Sequence, residues 1–193
     1  MTRKEQKEYR RKQILQVALH LFIHQGYYGT KTSQISREAK ISEGLLFHYF
    51  PTKESLLEEL VSMGVRGMQY PMQIEHMAPL DVFQRFTGQL LQYLKENLFT
   101  AELFVLMAQM QRRMEVPARI RELAASADVI TGMQEMLLAG QAEGTIRQGD
   151  VLALSNLYWC CIQGVVEQYV ARPELPLPEP EWIVAMLKAE SGR

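Results

Sequence analysis

The 193-residue chain has only two cysteines, and they are adjacent at Cys160 and Cys161. Neighbouring residues project in different directions from a helix, so the pair offers neither a disulfide framework nor a metal pair and reads as two small buried hydrophobes. No apolar run reaches the roughly 18 residues that a membrane span needs. The opening Met1-Thr2-Arg3-Lys4-Glu5-Gln6-Lys7 also lacks the apolar stretch of a secretory signal. Both absences predict a cytoplasmic protein. There is no phosphate-cradling glycine loop, and no nucleophile, base and orienting group recur at a recognisable spacing, so an enzyme is not expected and no cofactor is implied. Strand-like alternation is missing as well, which leaves an all-α fold.

An excess of one charge is lacking overall, since the net charge is −1. That balance averages two unlike parts. Through residue 53 there are ten basic side chains (Arg3, Lys4, Lys7, Arg10, Arg11, Lys12, Lys31, Arg37, Lys40, Lys53) against four acidic ones (Glu5, Glu8, Glu38, Glu43), a net of +6 that leaves −7 for the rest. A basic segment joined to an acidic one suggests that the first meets a polyanion. Hydrophobic content of 47% and charged content of 22% are those of a chain able to bury a core.

Ile14, Val17, Ala18, Leu21 and Phe22 recur at the spacing of one helix face, which Gly26 and Gly29 end. Thr30 and Thr32 offer hydroxyl caps to a short helix with Ile35 and Ala39 turned inward. After a tight turn at Ala39-Lys40-Ile41, Ser42 can cap a second short helix that buries Leu46 and Phe50 and stops at Pro51. Lys40 occupies the turn position that favours a left-handed residue, at about 1 kcal/mol of strain. Thr52 starts a longer helix with Leu56, Leu57, Leu60 and Val61 inside. Two short helices joined by a tight turn and braced by a longer one make a helix-turn-helix. His20 and His24 are four apart on the first helix, a spacing that suits a metal. Two ligands without a third in view do not make a site, and no metal is expected.

Further on, helices are expected from Leu80 to Leu98, from Ala101 to Met114, from Pro117 toward Gly144, from Asp150 to Arg172 and from Glu181 to Ala189. The proline-rich segment Pro173 to Pro180 must be a loop.

The stretch Ile35-Ser36-Arg37-Glu38-Ala39-Lys40-Ile41-Ser42-Glu43-Gly44-Leu45-Leu46-Phe47-His48-Tyr49-Phe50-Pro51-Thr52-Lys53-Glu54-Ser55-Leu56-Leu57, with Phe22 and Gly26-Tyr27 before it, closely resembles the DNA-binding signature of the tetracycline-repressor (TetR/AcrR) family. The resemblance covers about the first third of the chain. It implies a homeodomain-like helix-turn-helix domain over residues 1–60 and a helical effector-binding and dimerisation domain over 61–193. The helix starting near Ser42 would enter the major groove, with Glu43, Gly44, Leu45, Phe47 and His48 toward the bases. Thr30, Lys31, Thr32 and Ser33, with Tyr49 and Lys53, would contact phosphates. Phe47 stands where the family often has tyrosine; a thymine methyl is an alternative partner. Glu43 can accept from cytosine N4 or serve only the helix dipole, and His48 can contact DNA or simply be solvated.

The resemblance further implies pairing of two copies through the last two long helices, Asp150 to Arg172 and Glu181 to Ala189, with Trp159, Gly164, Tyr169, Trp182, Ile183 and Met186 at the interface. Ten of the 11 methionines lie beyond Leu60. Met107, Met110 and Met114, with Phe104 and with Phe83, Phe86 and Tyr158, are the candidate lining of a pocket for a small lipophilic or aromatic effector, although each suits an ordinary core equally. The function expected is that of a dimeric regulator, a repressor released from a palindromic operator by its effector. Its rivals are an enzyme and a helical protein-interaction module.

Overall fold

The computed structural model of the protein describes residues 2–74, 76–112 and 115–190, the side chains of 111 and 112 excepted. Met114 lies outside the described residues. Those described form α-helices, a short 3-10 turn and one isolated β-bridge, and the chain divides into two compact units that are each discontinuous in sequence. One comprises Met1–Val65 with Glu102–Ser126, the other Arg66–Ala101 with Ala127–Arg193. No helix among the described residues is long and apolar enough to cross a membrane.

The first unit begins with α1 (Arg3–Gly29), which starts in a capping box: the Glu5 N–H donates to Thr2 Oγ1 at 3.2 Å and the Thr2 N–H donates to the Glu5 carboxylate at 2.7 Å. Its apolar stripe, Ile14, Leu15, Ala18, Leu19, Leu21 and Phe22, is buried. The helix breaks at Gly26, whose φ of 73° belongs to the left-handed region that glycine enters without strain. Next come α2 (Thr32–Glu38) and α3 (Glu43–Tyr49). Between them Lys40 adopts φ 55°, the left-handed turn residue that the spacing predicts. The Ile41 N–H donates to the Ser36 carbonyl at 3.0 Å and closes the turn. α4 (Lys53–Gln69) follows and contributes Leu56, Leu57, Leu60 and Val61 to the core of this unit. The unit is completed by the greater part of α6 (Leu98–Arg112) and by α7 (Ala118–Ala125), from which Arg119 pairs with Glu58 at 2.6 Å.

In the second unit the 3-10 turn Tyr70–Gln73 leads to α5 (Pro79–Glu96), which buries Val82, Phe83, Phe86, Leu90, Leu91 and Leu94. α8 (Val129–Gly132), α9 (Gln134–Ala142), α10 (Val151–Ala171) and α11 (Pro180–Val184) complete it. α5 packs on α9, α10 and α11. Asp150 caps α10, accepting from the Ala153 N–H at 2.8 Å, and the proline-rich segment after it is non-helical until Pro180.

Two helices expected from the sequence differ. The long helix from Pro117 toward Gly144 is three. Its first break falls where Ser126 and Asp128 compete for backbone groups, Ser126 Oγ donating to the Leu123 carbonyl at 2.7 Å as α7 ends and Asp128 Oδ1 accepting from the Thr131 N–H at 3.0 Å as α8 begins. Its second falls at Met133. The closing helix stops at Val184 rather than Ala189. Its continuation instead pairs with residues 145–147: the Arg147 N–H donates to the Leu187 carbonyl at 2.8 Å and the Ala189 N–H to the Thr145 carbonyl at 3.0 Å. Cys160, expected to be buried, is exposed, and Cys161 is half-buried.

Candidate nucleic-acid interface

α3 is a seven-residue helix whose start is set by one side chain, Ser42 Oγ, which accepts from the Leu45 N–H at 3.1 Å. Leu46 is 1% exposed and anchors the helix, while Leu45 and Phe47 are 37% and 42% exposed beside exposed Glu43, Gly44 and His48. Both apolar side chains are thereby accessible to an external surface. A Cβ added at Gly44 would meet nothing within 4 Å, so the glycine is not demanded by packing within the chain, and its bare backbone is open to close approach.

Tyr49 is half-buried, with its ring edge-on to His48 at 5.8 Å between centroids. Lys31 and Ser33 are exposed and Thr32 is half-buried at the start of α2. Neither threonine caps that helix: Lys31 holds the N-cap position without a side-chain bond. Thr30 is fully buried, and its hydroxyl donates to the Gly26 carbonyl at 2.8 Å, closing the broken turn of α1. The expected phosphate contact through that hydroxyl is therefore corrected; its carbonyl is engaged too, by Lys53.

Lys53 sits at the first position of α4 and reaches back. Its Nζ donates to the carbonyls of Tyr27 at 2.7 Å and Thr30 at 2.8 Å, and lies 4.3 Å from the centroid of the Tyr27 ring. Burial pushes this ammonium below the usual lysine value, and burial, followed by the charge of Glu54, pushes the Tyr27 hydroxyl up. Two of the three ammonium donors are used, leaving one for an outside acceptor. Arg11 ties the other side, pairing with Glu59 at 3.1 Å and standing 5.3 Å from the Phe50 ring centroid.

The sequence reading missed one component. Arg3, Lys4, Lys7 and Arg10, on the first turns of α1, line an open groove of about 1090 Å³ whose other wall is Leu45, His48 and Tyr49 of α3. Their charge is evident in the sequence, but their place beside α3 depends on how α1 crosses it. Basic side chains there and exposed apolar and imidazole groups on α3 together make a surface suited to a phosphate-lined groove with base edges at its floor.

The other expected sites fall as follows. Phe83, Phe86 and Tyr158 are buried in the second unit, where Phe83 meets Tyr158 edge-on at 4.9 Å. The Tyr158 hydroxyl shares a 2.7 Å hydrogen bond with Thr87, and burial pushes its pKa up. Half-buried Phe104 and buried Met107 and Met110 belong to the first unit, where Met107 lies directly against Gly64. Of the expected dimer residues, Trp159 and Ile183 are corrected: both are buried within their own chain, Trp159 stacked with Phe86 at 6.3 Å. Gly164 and Trp182 are exposed, Trp182 by 69%, and Tyr169 and Met186 are half-buried.

Comparison with known proteins agrees with this geometry. The family model described as "Bacterial regulatory proteins, tetR family" matches residues 14–60. The HTH-type transcriptional regulator HbdR of Aromatoleum sp. (strain CIB) is 38% identical over 77 residues, a match covering 34% of each chain, so the chain spans about a third of the length of that relative. Among solved structures, the MbdR regulator from Azoarcus sp. CIB has a TM-score of 0.77 at 18% identity over 94% of this chain and 98% of that one. AibR, solved in complex with isovaleryl coenzyme A and operator DNA, has a TM-score of 0.69 at 17% identity over 93% and 98%. At these identities the two structures bear on the fold alone. α2 and α3 form a helix-turn-helix that lies inside residues 14–60, the segment that matches the tetR family model.

Proposed function

We propose that the protein is a cytoplasmic, homodimeric transcriptional repressor that binds a palindromic operator and leaves it when a small hydrophobic effector binds. The observation that carries the reading is α3, capped at Ser42, with Leu46 anchored beneath and Glu43, Gly44, Leu45, Phe47 and His48 outward. These five reach base edges in the major groove. Lys31, Thr32, Ser33, Tyr49 and the third donor of Lys53 hold phosphates, joined by Arg3, Lys4, Lys7 and Arg10. Two heads related by a twofold axis read half-sites about 34 to 36 Å apart when these are one helical turn apart.

Pairing through α10 is supported by its outward side. Leu157, Cys160 and Gly164 are exposed at i, i+3 and i+7, and with Trp182 they give more apolar surface than a solitary chain needs. The effector reading draws on the aromatic interior of the second unit, where the Thr87–Tyr158 pair supplies a polar handle among Phe83 and Phe86. A ligand that binds best to a body conformation with wrongly spaced heads lowers DNA affinity by linkage.

Selection of bound sequences from random duplexes tests this reading. Enrichment of one palindrome is expected, with Phe47→Ala and His48→Ala each weakening its binding at least tenfold while the fold persists. Affinity for it is expected to fall steeply, about 10³-fold for six or more phosphate contacts, between 50 and 200 mM salt. Recovery of no motif, or equally weak retention of every duplex, overturns it.

A further inference from the structure

His20 and His24, one helical turn apart on α1, point to the same side, and their ring centroids are 4.4 Å apart. Glu102, near the start of α6 and 82 residues away in sequence, comes to the same place: its Oε1 lies 2.9 Å from His20 Nδ1. One ligand atom from each of the three falls within 4.8 Å of the others. Both imidazoles are exposed, whereas the Glu102 side chain is only 9% exposed. A carboxylate withdrawn from water needs a cation or strong donors.

We propose that His20, His24 and Glu102 form a site for a divalent transition metal of the zinc class, with solvent at the fourth position. Two imidazole nitrogens and one carboxylate oxygen suit zinc and its neighbours and are poor for magnesium or calcium. Bonds of about 2.0 to 2.2 Å on a tetrahedral ion place ligand atoms about 3.3 Å apart. The His20–Glu102 pair is already near that separation, and exposed His24 has room to swing in by rotation about its side-chain bonds. The ion takes the place of the hydrogen between His20 Nδ1 and Glu102 Oε1, and neutral His20 then carries its proton on Nε2.

The consequence lies in what the site joins. α1 and α6 touch here and again where Gln109 Nε2 donates to the Ile23 carbonyl at 3.1 Å, two turns further along α6. A metal bond at His20 and His24 turns that crossing into a staple, so the seating of α6 on the helix that carries the basic groove becomes dependent on metal. The site itself does not rest on the DNA reading. A change in duplex affinity with metal is an added consequence only where that reading holds.

The test uses the full chain without a polyhistidine tag, stripped with chelator and titrated with Co²⁺ and then Zn²⁺. One Co²⁺ per protomer with the visible absorption of a tetrahedral ion is expected, displaced by Zn²⁺, together with a melting temperature that rises with Zn²⁺ concentration. His24→Ala removes an exposed side chain that packs no core, so it tests the site without threatening the fold. It and Glu102→Gln are each expected to weaken binding about 100-fold or more and to abolish the Zn²⁺-dependent rise in melting temperature. Absence of the absorption, or binding equally tight in His24→Ala, overturns the proposal.

Discussion

In the helix-turn-helix, polar bonds run between near neighbours: Leu45 N–H to Ser42 three residues back, Ile41 N–H to Ser36 five back, Thr30 hydroxyl to Gly26 four back. In the second unit the decisive ones cross long stretches of chain. Thr87 meets Tyr158 71 residues on, Gln84 donates to Glu181 97 residues on, and Ser155 donates to the Ile130 carbonyl 25 residues back. The turn and cap of the head are thus specified by local chemistry, although Lys53 also reaches 26 residues back to Tyr27. The joining of α5 to α10 and α11, by contrast, rests on contacts that exist only once the helices have come together. A short, locally closed motif can keep its shape while its outer face changes; a body built on remote contacts changes more freely in sequence as long as the partners change in step. That fits a family-model match over residues 14–60 beside structural likeness over nearly the whole chain.

The comparison can be broken most forcefully at Phe83, buried against Tyr158. Phe83→Ala should cost about 4 kcal/mol in chemical denaturation, since it opens a cavity where α5 packs on α10. A smaller loss, about 2 kcal/mol, is expected for Thr87→Val, which leaves the buried Tyr158 hydroxyl without its partner; combining it with Tyr158→Phe should recover most of that loss, because both polar groups are then gone. Additive losses in the double variant would show that the pair is not what joins α5 to α10.

Smallest are the caps, about 1 kcal/mol each for Ser42→Ala and Asp128→Ala. They separate by pH. The Thr131 backbone N–H, first among the causes, holds the Asp128 carboxyl below its ordinary value. Its contribution is therefore present above that ordinary value and lost as pH falls through the lower, folded one. The cost of Asp128→Ala should vanish in strong acid while that of Ser42→Ala stays, measured as urea midpoints from neutral to acidic pH.

What the sequence disclosed follows the same division. The left-handed turn at Lys40, the Ser42 cap, the inward Leu46 and the outward Phe47 are consequences of residues within one or two turns, and all were legible. The break between α7 and α8 was not, because apolar spacing alone does not register a serine and an aspartate competing for the backbone. Nor were Trp159 and Ile183: an apolar residue on an apolar helix does not say whether its neighbour belongs to its own chain or to another. Glu102 was illegible as a companion of His20 for the simplest reason, since 82 residues separate them and only the crossing of α1 with α6 brings them together.

The strand-like pairing of Ile146 with Lys188 sets a practical limit for shortening the protein. Cutting before Lys188 would strip the lid from the tight bend in which Ile146 presses on Gly140, and would bare the Thr145 carbonyl to water. Trimmed or fused versions should therefore keep everything through Ala189 and place any added tag beyond it.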